Sequence, residues 1–163
     1  MPAKAKLVSL CLACLLPLAA ACVETAMLYH GAPVTSVPVI NLQEGPPVAG
    51  RWETFDLVID YKYQRNGDNL ELSGQAALSQ HYQMNYAGVS RMQTYLFFLD
   101  QDARVLETAF FVTPWSSGVE DIQEFSKSYP MPFGTTALSF GYSGSVNGMD
   151  STASFYELPL SGQ

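Results

Sequence analysis

Cysteine is almost missing from this chain. Its 163 residues hold three, Cys11, Cys14 and Cys22, all at the N-terminal end. Everything after Cys22 therefore has no disulfide, no thiolate nucleophile and no Cys-built zinc site, and must hold together by packing. Bases are scarce too: eight Lys and Arg stand against fifteen Asp and Glu, a formal net charge of −7. That balance excludes the basic patches that nucleic acid demands and argues against electrostatic adhesion to anionic lipid. Histidine is limited to His30 and His81, and no Gly-x-Ser-x-Gly elbow frames a serine, so a hydrolase is the weakest of the functional readings. The longest apolar stretch, Leu7 to Leu18, is broken by Ser9 and Pro17 and falls short of the roughly 20 residues a spanning helix needs. No internal repeat or low-complexity tract is present.

What the N-terminus does contain has a definite order. Lys4 and Lys6 precede the apolar stretch, and Ala19, Ala20 and Ala21 follow it, leading into Cys22 and the polar Glu24 and Thr25. A short basic start, a short apolar core and small residues form an export signal, here residues 1–21. The run Ala19-Ala20-Ala21-Cys22, with Leu18 one place early, resembles the lipobox of bacterial lipoproteins, usually Leu-Ala-Gly/Ala-Cys. Ala in place of Leu at the first position is a departure from that pattern. Cys14 would leave too short an apolar core. The resemblance implies that Cys22 becomes the first residue of the mature chain and carries a diacylglyceryl thioether with an amide-linked fatty acid such as palmitate. Several acyl chains anchor stably where one does not. Val23, rather than Asp, follows Cys22, which implies the periplasmic face of the outer membrane. The alternative is an ordinary secretory signal cut after Ala21.

Once residues 1–21 are removed, six bases face fifteen acids, a formal charge of −9. Residues 22–50, with Pro33, Pro38, Pro46 and Pro47, read as an extended tether. Val37, Val39, Ile40 and Leu42 make it apolar enough to dock along a sheet edge. Residues 51–163 form the domain. Phe55, Leu57, Ile59, Tyr61 and Tyr63 alternate with mostly polar neighbours, which predicts a half-buried strand over 52–64. Asn66-Gly67 predicts a hairpin turn, and Leu70, Leu72, Gly74, Ala76 and Leu78 predict its partner over 69–79. Residues 80–90 read as either a helical turn or an irregular crossing. Strands follow at 94–99 and 105–112, with a turn at 100–103. A loop at 115–124, a short strand at 125–129, a long one at 135–146 and an edge strand at 155–160 complete the list. About seven short strands with turn signals between them predict an all-β antiparallel sandwich.

Three stretches, Leu70-Glu71-Leu72-Ser73-Gly74-Gln75-Ala76, Tyr95-Leu96-Phe97-Phe98-Leu99-Asp100-Gln101-Asp102-Ala103-Arg104-Val105, and Pro132-Phe133-Gly134, resemble the FxLYD-type immunoglobulin-like modules of bacterial envelope proteins. The resemblance spans about residues 50 to 146 and implies an immunoglobulin-like fold, with no catalytic residue. Two departures are Ala103, where the pattern has Gly, and Phe133, which separates Pro132 from Gly134.

Candidate sites are few. Asp100 and Asp102, with Glu107, offer carboxylates for calcium, against the ordinary preference of Asp for turns; no metal or other cofactor is expected. The aromatic inventory says more. Trp115, in a Pro-Trp-Ser-Ser-Gly loop where pairing should stop at Pro114, and Tyr129 are the candidate binding residues. The expected function is a membrane-anchored, non-enzymatic binding or assembly module whose partner is another envelope protein. The alternative is a carbohydrate-binding lipoprotein that stacks rings on a polysaccharide. A coplanar ring row on one sheet face would favour sugar, and rings at loop tips or open edges would favour protein.

Overall fold

The first hairpin is built as its alternation dictates. In a computed structural model, which describes residues 29–112, 118–149 and 151–159, β3 (Leu57–Asn66) pairs antiparallel with β4 (Asn69–Leu78) from Leu57↔Leu78 to Asn66↔Asn69. The reversal uses Gly67 at φ +59°, a conformation closed to most side chains. Leu57, Ile59, Leu70, Leu72, Ala76 and Leu78 are all buried. The segment predicted as one strand over 52–64 is divided, however. β2 (Val48–Glu53) ends at Thr54, whose hydroxyl accepts from the backbone N–H of both Asp56 and Leu57. That side-chain turn offers the backbone an alternative to the ladder, and it throws Phe55 outward although its sequence parity matches the core residues Leu57 and Ile59.

The remaining strands complete two sheets. β4 pairs with β7 (Gln123–Pro130), giving the order β2-β3-β4-β7. The facing sheet centres on β5 (Gly88–Leu99) and β8 (Ala137–Asn147), with β6 (Val105–Phe110) beside β5 and β9 (Thr152–Glu157) beside β8. Counting from β3, the second and fifth strands pair in one sheet and the third and sixth in the other. This is the pairing of an immunoglobulin-like sandwich. Residues 80–90 resolve into the helix α1 (Gln80–Asn85) and the start of β5. β5 begins six residues earlier than the predicted strand at 94 because a register irregularity between Val89 and Arg91 breaks the alternation there.

The Pro-rich segment lies on the sandwich from Tyr29 onward. Gly31 N–H donates to the Val105 carbonyl, Val105 N–H to the Ala32 carbonyl and Val34 N–H to the Ala103 carbonyl. The chain then crosses the outer face of the β5-β8 sheet, adds β1 (Ile40–Asn41) to the start of β8, and runs into β2. Its crossing accounts for β5, where every residue from Thr94 to Leu99 is buried. Leu96 and Phe98 join the main core between the sheets, while Tyr95, Phe97 and Leu99 form a second cluster with Val34, Val105 and Ala137, padded by Tyr29 and Val37. A strand covered on both faces reads as a continuous apolar run. Trp52 fixes the arm to the core: its fully buried indole donates Nε1–H to the Pro38 carbonyl at 2.9 Å and meets Phe140 edge-on.

The turn between β5 and β6 gives Asp100 and Ala103 definite roles. Asp100 Oδ1 accepts from the N–H groups of Asp102 and Arg104, both at 2.9 Å. That oxygen does what Asp commonly does in turns. Ala103 stands at φ +55°, the left-handed position at which the resembled pattern has Gly.

Candidate interaction surface

Large apolar side chains left in solvent mark where a globular surface expects company. Four of those in the described residues surround one end of the sandwich. Phe55, 70% exposed, caps the turn between β2 and β3; Met84, 76% exposed, lies on α1; Met149 is fully exposed in the turn between β8 and β9; Ile122 precedes β7. His81 packs against Phe55 at a tilt, with ring centroids 5.1 Å apart, and shares a helix face with Met84, three residues on. Gly148, next to Met149, approaches the Asn85 carbonyl, and Ile122 joins Gln80 and Gln83 in lining a shallow depression.

A half-buried polar network ties this end together. Tyr82, on α1, donates its hydroxyl to Asp56 Oδ1 at 2.9 Å; Tyr142, on β8, donates to Asp56 Oδ2 at 2.7 Å. Thr54 Oγ1 lies 2.8 Å from the Tyr142 hydroxyl, and the Asp56 carbonyl accepts from Ser79 N–H just before α1. Burial raises both phenols above their ordinary pKa, and bonding to the Asp56 carboxylate raises them further. Both rings therefore stay protonated donors at neutral pH. One carboxylate thus ties together the turn carrying Phe55, the helix carrying His81 and Met84, and the central strand β8. The backbone that presents Phe55 and Met84 is tied in place before a partner arrives, so little backbone freedom is lost when one covers them.

Cys22 and Trp115 lie outside the described residues. The chain flanking Trp115 is visible: Val112 is buried, and Gly118 bridges to Gly88, just beyond α1. Tyr129 sits elsewhere, on β7. It is half-buried, its ring meets Phe98 edge-on, and its hydroxyl donates to the Phe110 carbonyl at 3.1 Å. Burial pushes its pKa up to about 12. It serves the packing of β7 against β6 and is not brought together with the apolar end. His30 holds the Leu106 carbonyl through Nδ1 at 2.8 Å. Sequence reasoning missed Phe55, Met84 and Met149. The readable signal for Phe55 was its place between Thr54 and Asp56, two turn-forming residues.

The outer face of the β2-β3-β4-β7 sheet has a different character. Arg51, Asp60, Gln75 and Glu124 form one cross-strand row, and Ala49, Lys62, Ser73 and Ser126 the next. These rows contain no aromatic ring. Within the face Arg51 pairs with Glu53 and Asp60, and Gln75 donates a hydrogen bond to Glu124. Exposed rings lie at tips and edges instead: Phe55 and Phe133 in turns, Phe110 at the end of β6, and Tyr156 on the edge strand β9. No protein-family model, curated protein or solved structure matches the chain.

Proposed function

We propose that this chain is an outer-membrane lipoprotein, anchored through Cys22 on the periplasmic face, that acts by binding another envelope protein rather than by catalysis. The observation that carries the reading is the placement of exposed apolar groups: Phe55, Met84, Ile122 and Met149 gather at one end of the sandwich around the Asp56 network, while the open sheet face offers no ring row for a sugar to stack on. Aromatic and Met side chains in such positions are the anchors that protein interfaces use. The partner surface this end suits is a shallow apolar depression that takes Phe55 and Met84. Carbohydrate binding is the weaker reading, because pyranose faces call for coplanar rings.

The test is crosslinked pull-down of the lipidated protein from its own cells, comparing wild type with Phe55→Ser combined with Met84→Ser. Both residues are largely exposed, so the variant should keep its melting temperature and lose the captured protein. Unchanged capture by a folded variant refutes the surface. For the anchor, Cys22→Ser should abolish the lipid modification seen by intact mass; an unmodified Cys22 in the mature wild-type protein refutes the lipoprotein reading.

A further inference from the structure

The docked arm sets how far the sandwich can stand from its anchor. Backbone pairing with β6 holds the chain from Gly31, and Tyr29 already packs edge-on against Tyr95 and Phe97. Seven residue steps separate Cys22 from Tyr29, a span of at most about 25 Å at roughly 3.3–3.6 Å each. The leash is shorter than the sandwich: the eleven residues of β8 alone run about 35 Å. Whatever surface flanks the point where the leash joins is therefore held close to the bilayer.

That surface is the β6 side, and it carries apolar side chains of its own. Phe133 is fully exposed at the tip of the turn between β7 and β8. The neighbouring Gly134 faces the Leu106 side chain, and His30 of the arm holds the Leu106 carbonyl. Phe110, 42% exposed, lies further along the same strand against Tyr95. Two of the mature chain's few cations flank them. Lys127 reaches the Phe110 carbonyl and Arg104 the Gly31 carbonyl. Aromatic rings beside Lys and Arg are what the headgroup region accommodates. Glu107, Asp100 and Asp102 stand on the same side, so net charge supplies no attraction and the rings must.

We infer that the β6 side of the sandwich rests on the lipid bilayer, with Phe133 and Phe110 seated at headgroup level, and that this docking turns the apolar end around α1 away from the membrane. The inference rests on anchoring at Cys22. Phe133 and Met149 lie beyond opposite ends of β8, so one orientation buries the first and leaves the second in water. A patch that works by apolar insertion should also need no anionic lipid.

The experiment uses the full lipidated protein in vesicles of phosphatidylcholine and phosphatidylethanolamine. Phe133→Cys and, separately, Met149→Cys are each given a nitroxide label; with Cys22 acylated, the label has one target. Collision with a water-soluble nickel reagent should be several-fold lower at position 133 than at 149. Collision with oxygen, which partitions into lipid, should be higher. Raised salt should leave the difference in place. Equal nickel access at both positions in a protein whose mass shows the acyl chains overturns the docking while leaving the anchor intact. Protection of position 133 that appears only when a partner protein is added also overturns it. A chain without acyl chains removes the anchoring on which the inference rests, and mass analysis distinguishes that failure from the others.

Discussion

Removing the Asp56 carboxylate should have a cost that can be worked from the structure. Asp56→Ala deletes two charge-assisted hydrogen bonds, from Tyr82 at 2.9 Å and Tyr142 at 2.7 Å. Bonds to a charged group contribute about 1.5–3 kcal/mol each. Tyr142 can still use Thr54 Oγ1 at 2.8 Å, so its loss sits at the low end of that range. Tyr82 is left with no other protein partner among the described hydrogen bonds, so its loss sits higher. The half-buried carboxylate also regains nothing in the unfolded chain once deleted, which removes its own desolvation penalty and trims the total. The expected net cost is about 2–4 kcal/mol. Asp56→Asn should fall between wild type and Asp56→Ala, because only one of its two terminal atoms is an acceptor. The assay is urea denaturation followed by far-UV circular dichroism, with the slope checked for constancy. Tyr142→Phe and Tyr82→Phe complete double-mutant cycles that should show coupling to Asp56 of at least about 0.5 kcal/mol. The network also positions Phe55, so Asp56→Ala should weaken partner capture even in its folded fraction. A midpoint unchanged from wild type, with no coupling in either cycle, would refute the reasoning: the carboxylate would then be satisfied equally well by water.

Three further outcomes follow from the geometry. Ala103→Gly should stabilise the domain by about 0.5–1 kcal/mol, since the left-handed backbone costs a Cβ-bearing residue roughly 1–2 kcal/mol and Gly returns part of that as chain entropy; a loss of stability in denaturant would contradict it. Ile59→Ala should cost about 2–5 kcal/mol, because Ile59 is fully buried with Trp52 and Ala76 as its cross-strand neighbours; amide exchange should show faster opening of the β3–β4 hairpin. Stability should be indifferent to the tyrosines below pH 10 and should fall above it. The phenols of Tyr82, Tyr129 and Tyr142 have raised pKa values in the fold, that of Tyr129 about 12. The folded chain therefore keeps protons that the unfolded chain gives up from about pH 10. Their contribution is fully present below that pH and is lost as the pH rises through the folded values, by up to about 1.4 kcal/mol per pH unit for each such phenol. A denaturant midpoint flat from pH 9 to 11.5 would show that the hydroxyls are not held.

Much of the sandwich was legible in the sequence, because one-sided burial leaves a period of two. Leu57 to Tyr63 and Leu70 to Leu78 announce two half-buried strands, and Asn66-Gly67 can reverse the chain with little strain, so the β3–β4 hairpin needed nothing beyond local chemistry. The absence of cysteine after position 22 and the acidic balance are equally sequence-level facts. The candidate surface was not legible. Phe55 has the parity of a core residue, and only the Thr54 turn, itself tied through Asp56 to tyrosines 26 and 86 residues further along the chain, puts it outside. The run from Thr94 to Leu99 tells of burial on both faces but not of what covers the second. That cover is the arm, brought back over the sheet by pairing with Ala103 and Val105. Alternation and turn chemistry act between neighbours in the chain and so belong to the sequence. Which apolar groups end up covered depends on what long-range packing sets against them, and that only the folded arrangement decides.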